Sequence, residues 1–250
     1  MDLSAVTQAS LFGIAFFAGL ISSIAGSGGI LTLPALLWAG LPPLSALATN
    51  KVQSSIGTLS SAWNFFRHGH IDIKPLLPVL FLGFIGSVTG TLAVQQLDSE
   101  ILLKLIPFLL IAIAIYFLTM PKISPGDSQP KISQGWFACA AGLGMGFYGG
   151  FFGPAMGSIF PFLLVWLVAR NLVTATAETK LMILVVNGTS AVIFIAGGHV
   201  LWGLAIAMSV AQMIGARLGS NLVMQRGSSL VQPIITTVTL LMAIKLLFFA

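Results

Sequence analysis

Two lysines, Lys51 and Lys180, lie within strongly apolar stretches of the chain and are 129 positions apart. A lysine surrounded by lipid is costly and usually marks a functional site. The same spacing relates further pairs in the two halves of the chain: His70 and His199, Gly69 and Gly198, Gly86 and Gly215, and Gly90 and Gly219. Duplicated halves that meet around ionisable residues are typical of transporters whose site lies between the repeats.

The residues directly before these lysines supply polar groups. Thr49 and Asn50 precede the first lysine, and Glu178 and Thr179 precede the second. Two lysines from opposite faces would give a cavity a positive potential, which suits an anion, with Thr49, Asn50 and Thr179 as neutral partners. Glu178 has no acidic counterpart in the first half. It either neutralises a nearby lysine, lies near the membrane interface, or accepts a proton and couples transport to the proton gradient.

Glycine-rich breaks occur at matching places in both halves. The first break consists of Gly26, Ser27, Gly28 and Gly29. It precedes an apolar segment at 30–39 that is too short to cross a bilayer, which predicts a half-helix. The second break contains Gly153 and precedes the short segment 157–168. Interrupted segments in corresponding positions of two halves point to a transport site.

The breaks also predict how an anion is bound. Irregular backbone at membrane depth is tolerated only where it is buried in protein or lines a cavity. Backbone N–H groups at the start of a half-helix carry the positive end of its dipole and can bind an oxyanion. We therefore expect Gly26, Gly28, Gly29 and Gly153 to take part in the site, with Ser27 adding a hydroxyl donor.

The composition places the whole chain in a membrane. Of 250 residues, 57% are hydrophobic and 7% are charged, against roughly 25% charged in soluble domains. The apolar runs show no alternation of polar and apolar residues, so helices rather than β-strands satisfy their backbone groups. The sequence predicts an all-α polytopic membrane protein with five helical elements in each half.

The predicted elements of the first half are 5–24, 30–39, 44–66, 73–94 and 100–120. Those of the second half are 134–152, 157–168, 172–196, 200–224 and 229–249. We assign 1–120 to a first membrane repeat, 121–133 to a linker and 134–250 to a second membrane repeat.

Basic residues predict that the repeats are inverted. The loop at 67–74, the linker and the stretch at 217–226 carry Lys or Arg and are expected on the cytoplasmic side. The loop at 197–199, which corresponds to the first of these, has none and is expected outside. Corresponding loops on opposite sides require inverted repeats. The alternative is a parallel pair of four-helix repeats in which the short elements are not spans.

Simpler interpretations stay open for several of these residues. The lysines could extend their ammonium groups to the membrane surface, and both histidines could be turn or interfacial residues. The glycine pairs, spaced GxxxG, are expected to be helix-packing faces. A passive anion channel would use the same residues as a carrier. An intramembrane serine protease built on Ser27 is disfavoured, because both histidines fall at predicted loop ends.

The early glycine run before a short segment, followed by the residues Ala48, Thr49, Asn50 and Lys51 at the next helix, resembles the TauE/SafE sulfite exporter family. The resemblance covers nearly the whole chain. It implies an inner-membrane permease for a small anion of sulfur metabolism, such as sulfite, thiosulfate or an organosulfonate. The second break departs from the pattern, since Pro154, Ala155 and Met156 stand where glycines are expected.

The sequence gives no reason to expect an enzyme, a cofactor, a metal site or a nucleic-acid partner. Its single cysteine, Cys139, allows neither a disulfide within the chain nor a thiolate metal cluster. The net charge of +5 is accounted for by basic cytoplasmic loops. The expected partners are a small anion, membrane lipid and, if transport is coupled, protons.

Overall fold

The computed structural model describes residues 4–26, 28–119 and 129–226, and this part of the chain is helical, with no strand. The first half contains α1 (Ala5–Ala25), α2 (Gly28–Trp38), α3 (Pro43–Arg67), a 3₁₀ turn (Lys74–Leu76), α4 (Leu77–Gln95) and α5 (Ser99–Thr119). The second half contains α6 (Gln134–Phe137), a π-helical segment (Ala138–Leu143), α7 (Gly144–Phe151), α8 (Met156–Val168), α9 (Leu172–Ala196) and α10 (Trp202–Arg226).

Local signals in the sequence account for several helix ends. Ser4 caps α1 by accepting from the N–H of Thr7, and Asn171 caps α9 by accepting from the N–H of Thr174 (2.8 Å). α3 begins at Pro43, whose ring suits the first turn of a helix. α1 ends at Gly26, which adopts the left-handed conformation. Chemistry close in sequence therefore sets where these helices begin and end.

Three stretches of the described residues are long and apolar enough to cross a membrane: Ala5–Ala25, Lys74–Gln95 and Leu172–Ala196. The remaining long helices carry buried polar residues or a proline, and α2 and α8 are short apolar helices of 11 and 13 residues. Large apolar side chains such as Phe17, Phe81 and Phe108 are exposed on the outside, where lipid would cover them. The protein is an all-α polytopic membrane protein.

The helices pack through small residues, as the GxxxG spacing predicts. α1 packs along α10, and α4 packs along α7, while α3 and α9 pack against each other. A Cβ atom on Gly215 would overlap the backbone carbonyl of Phe16 on α1, and one on Gly86 would overlap the carbonyl of Leu143. The prediction of packing faces is confirmed: side chains at these positions would force the helix backbones apart.

Replacing Gly215 by alanine should lower the thermal unfolding temperature of the detergent-purified protein, because overpacking typically costs about 1–3 kcal/mol. Gly203→Ala is the matched control, since Gly203 lies on the same helix and a Cβ there meets no atom within 4 Å. Equal unfolding temperatures for the two variants would show that α1 and α10 do not approach this closely.

The structure differs from the predicted elements in one place and leaves others outside the described residues. Residues 134–152 were expected to form one regular helix, but the π-helical segment interrupts it, and there Gly142 packs against Val79 of α4. The element at 229–249 lies outside the described residues, as does much of the linker. The division into two repeats and a linker stays a prediction.

Candidate functional site

The two glycine-rich breaks meet in the interior of the protein. A Cβ atom on Gly26 would overlap the backbone of Gly157, and one on Gly157 would overlap Gly26. Gly26 has φ +75°, a left-handed conformation that glycine adopts without strain. The second break contains two left-handed residues, Gly153 (φ +100°) and Ala155 (φ +65°). The end of α1 and the start of α8 can approach this closely only because both positions lack a side chain.

A small cavity lies beside this contact. Its volume is about 30 Å³, roughly two to three times the minimum that one water needs. It can therefore hold a few waters or a small ion in this conformation. The lining residues come from both halves: Ser22, Gly26, Gly29, Asn50, Lys51, Ser54, Thr58, Gly153, Pro154, Ala155, Met156, Gly157, Ile183 and Asn187. None of them is acidic.

Lys51 reaches the cavity from the third turn of α3. Its side chain is 1% exposed. The ammonium donates to the backbone carbonyl of Gly149 and to Oδ1 of Asn187 (3.2 Å), and no acidic group pairs with it among the described residues. Two of its three donors are thereby used. The ammonium stays inside the protein, so Lys51 does not extend to the membrane surface.

Lys180 is equally buried but does not line the cavity. Its ammonium donates to the backbone carbonyl of Ser22 on α1 (2.5 Å). Ser22 and Gly149 lie four residues before Gly26 and Gly153, so each lysine binds a backbone carbonyl close to the glycine-rich break of the other half. The difference is that Lys51 faces the cavity while Lys180 lies behind its wall.

Asn50 presents its amide nitrogen toward the cavity. Its Oδ1 accepts from the hydroxyl of Thr32 (2.6 Å) and from Nε2 of Gln53 (2.9 Å). Its Nδ2 points toward Gly29, in the first turn of α2, and has no acceptor within hydrogen-bond distance among the described residues. The two donors on Oδ1 therefore hold the amide with its N–H groups free for a ligand.

The structure brings only some of the predicted site residues together. Gly26, Gly29, Asn50, Lys51 and Gly153 line the cavity, and Ser27 lies outside the described residues.

The other predicted residues lie away from the cavity lining and have different partners. Thr49 accepts from the N–H of Leu201 (3.2 Å), beyond the end of α9. Thr179 donates to the carbonyl of Ala175 within its own helix (2.6 Å). Gly28 is also absent from the lining. It packs against α1 instead, where a Cβ atom on Gly28 would lie 2.8 Å from the Cβ atom of Ser22.

Glu178, in the second turn of α9, lies near Arg170, which precedes that helix. Its Oε2 is 3.3 Å from Nε of Arg170, and its side chain is 2% exposed. The geometry does not satisfy a hydrogen bond, since both atoms are without a hydrogen-bond partner. The closeness of the two charged groups fits the neutralising role considered for Glu178, although the basic partner is Arg170 rather than a lysine.

Sequence reasoning missed four polar residues of the lining: Ser22, Ser54, Thr58 and Asn187. The signal was present in two forms. Ser54 and Thr58 lie three and seven positions after Lys51, on the same face of α3. Thr58 and Asn187 are 129 positions apart, in the same register as the two lysines.

Comparison with known proteins agrees with this architecture. A sequence profile described as sulfite exporter TauE/SafE matches residues 11–246. The chain belongs to the TauE/SafE sulfite exporter family. No solved structure matches it significantly.

Relatives of this TauE/SafE protein cover nearly the whole chain. "Probable membrane transporter protein YfcA" of Escherichia coli is 42% identical over 238 residues, which are 95% of this chain and 88% of the relative. "Probable membrane transporter protein" of Haemophilus influenzae is 38% identical over 248 residues, 99% and 97% of the two chains. A Sinorhizobium relative, "Probable membrane transporter protein ORF9", is 38% identical over 246 residues. The protein is a membrane transporter of the TauE/SafE type.

The cavity of this family member has the chemistry of an anion site. It combines a buried ammonium, an amide nitrogen without an acceptor and the first turns of two short helices. The described residues contain no group of three or more His, Cys, Asp or Glu side chains that could hold a metal ion. Attraction of negative charge is the property that these lining groups share.

Proposed function

We propose that the protein is a secondary transporter of the cell inner membrane for a small anion of sulfur metabolism, such as sulfite, thiosulfate or an organosulfonate. The observation that carries the proposal is the buried Lys51 ammonium, which faces a cavity without acidic residues where the two helix breaks meet. The family description supports the class of anion. The substrate would lie between the two repeats.

The short helices support the same site. Gly29 lies in the first turn of α2 and Gly157 in the first turn of α8, and both line the cavity. Helix N-termini present backbone N–H groups and the positive end of the dipole. In this proposal they bind oxyanion oxygens while Lys51 supplies the full positive charge.

The packing of α3 against α9 supports inverted repeats. These helices correspond to each other by the 129-residue spacing. Thr49 near the start of α3 contacts Leu201 beyond the end of α9, whereas Lys51, further along α3, contacts Asn187, earlier in α9. In the proposed arrangement the two helices run in opposite directions. A pseudo-two-fold axis in the membrane plane makes corresponding helices antiparallel, whereas an axis along the membrane normal makes them parallel.

The different positions of Lys51 and Lys180 relative to the cavity support alternating access. In inverted-repeat transporters one half can adopt the conformation of the other, which opens the site to the opposite side. Here Lys51 faces the cavity and Lys180 lies behind its wall, although each donates to a backbone carbonyl of the other half. We infer that the exchange brings Lys180 into the cavity and withdraws Lys51. Coupling to protons through Glu178 stays a prediction.

Transport into proteoliposomes tests this function. Purified protein should accelerate uptake of radiolabelled thiosulfate above protein-free liposomes, and unlabelled thiosulfate inside should increase the initial rate several-fold. Such counterflow is the property of a carrier, because a site that alternates between sides exchanges bound substrate. Uptake without this stimulation would indicate a channel. No uptake of thiosulfate, sulfite or a simple organosulfonate would contradict the proposed function.

A further inference from the structure

Asn187 is held in one orientation by Lys51. Its side chain is buried, with 9% exposed, and it lines the cavity from α9. The ammonium of Lys51 can only donate hydrogen bonds, so the atom that it contacts must be the amide oxygen. The Nδ2 group of Asn187 is left without an acceptor among the described residues. It is a buried donor that the structure leaves available to a ligand.

Asn50, in the other half of the chain, also directs its amide donor toward the cavity. The hydroxyl of Thr32 and the amide of Gln53 occupy its Oδ1, which leaves its Nδ2 toward the cavity. The site therefore has one oriented amide on α3 and one on α9. In both amides the acceptor atom is engaged inside the protein and the donor atom is free.

Two backbone carbonyls near the cavity already accept hydrogen bonds from side chains of the protein. The carbonyl of Gly149 accepts from Lys51, and the carbonyl of Pro154 accepts from the hydroxyl of Tyr148. The hydroxyls of Ser54 and Thr58 can turn either way. The two amides and the ammonium, whose donors are fixed, therefore decide the polarity of the cavity.

We propose that Asn187 binds the transported anion directly and that Asn187 and Asn50 together select oxyanions that carry no hydrogen-bond donor of their own. This inference rests on the proposed function and narrows its substrate class. Thiosulfate fits, since it carries no proton at neutral pH. Phosphate is disfavoured because its P–OH group needs an acceptor, so a Ser54 or Thr58 hydroxyl would have to turn its own donor away from the anion, and one hydrogen bond to the anion would be lost. An amino sulfonate is disfavoured because the lining has no acid for its ammonium.

Calorimetric binding to the purified protein tests the selection. Wild type should bind thiosulfate at least about tenfold more tightly than phosphate, since the loss of one hydrogen bond to a charged group is sufficient for this ratio. Equal affinities, or tighter binding of phosphate, would overturn the selection. This comparison needs no variant and so does not depend on the folding of a mutant.

Two variants test Asn187 itself. Asn187→Asp keeps the shape but places a carboxylate beside Lys51, and Asn187→Leu removes the donor. Each should weaken thiosulfate binding at least about tenfold, and the aspartate variant more, because it neutralises the ammonium. Thr189→Val is the matched control on the same helix. Thr189 bonds to the carbonyl of Val185 (2.7 Å) and does not line the cavity, so its variant should bind like wild type.

The outcomes separate this inference from the proposed function. Thiosulfate binding that is unchanged in both Asn187 variants, with elution volume and unfolding temperature like wild type, would overturn the role of Asn187 and leave anion transport standing. Absence of binding to wild type for thiosulfate, sulfite and phosphate alike would overturn both.

Discussion

Lys51→Ala should reduce thiosulfate transport in proteoliposomes at least about tenfold at matched protein levels. Lys51 contributes the buried charge that faces the cavity, and removing the partner of a desolvated charge costs roughly 2–5 kcal/mol. About 1.4 kcal/mol already corresponds to a factor of ten. Lys51→Arg should restore transport only partly, because the planar guanidinium cannot reproduce the contacts of a compact ammonium with Gly149 and Asn187.

Two further variants complete this experiment. Lys180→Ala should also impair transport if the lysines exchange places during the cycle, whereas binding to the conformation described here should be affected less than by Lys51→Ala. Lys104→Ala is the neutral control, because Lys104 is exposed and pairs with Glu100 on the surface of α5. Flux close to wild type in both Lys51→Ala and Lys180→Ala would show that the anion site lies elsewhere.

Gly26→Ala should strongly reduce the yield and the thermal stability of the detergent-purified protein and abolish transport. The new methyl group would occupy the position of the Gly157 carbonyl, where the end of α1 meets the start of α8. Overpacking costs about 1–3 kcal/mol, and an L-residue in the left-handed conformation adds roughly 1–2 kcal/mol. Because both partners are backbone, the overlap can be relieved only by moving a helix break.

Gly69 provides a matched control for the backbone conformation. It has φ +73°, close to the +75° of Gly26, but a Cβ atom there meets nothing within 4 Å. Gly69→Ala therefore carries the same conformational strain without the overlap, and should lower the unfolding temperature only slightly. If the two variants had equal stability and equal transport, the contact between the breaks would not contribute to the site.

Much of the architecture could be predicted because it depends on local properties of the chain. Apolar runs of about 20 residues predict spanning helices, and glycines predict the breaks. The GxxxG pairs could be identified as packing faces because only residues without side chains allow close helix contact. The π-helical segment at Ala138–Leu143 was missed, since no spacing of residues in 134–152 distinguishes it from a regular helix.

The candidate site was predicted less completely. Lys51 and Asn50 were identified together with their helix, and the cavity contains both. Thr49 is adjacent to Asn50 in sequence, yet it contacts the loop after α9. Successive helical residues point about 100° apart, so neighbours in sequence face different partners. The spacing that would have added Ser54 and Thr58 was visible, but choosing that face required knowing where the second half packs.

The sequence by itself determined that the protein is an all-α membrane protein, and it predicts two repeats with a glycine break and a lysine in each, because length, hydropathy and spacing are properties of the chain alone. Only the tertiary structure decided that Lys51 faces the cavity while Lys180 lies behind its wall, and that Asn187 lines the same cavity and contacts Lys51. The physical reason is that two equivalent positions acquire different surroundings when the halves pack asymmetrically. The direction of a side chain relative to a distant helix is set by that packing and by no local pattern.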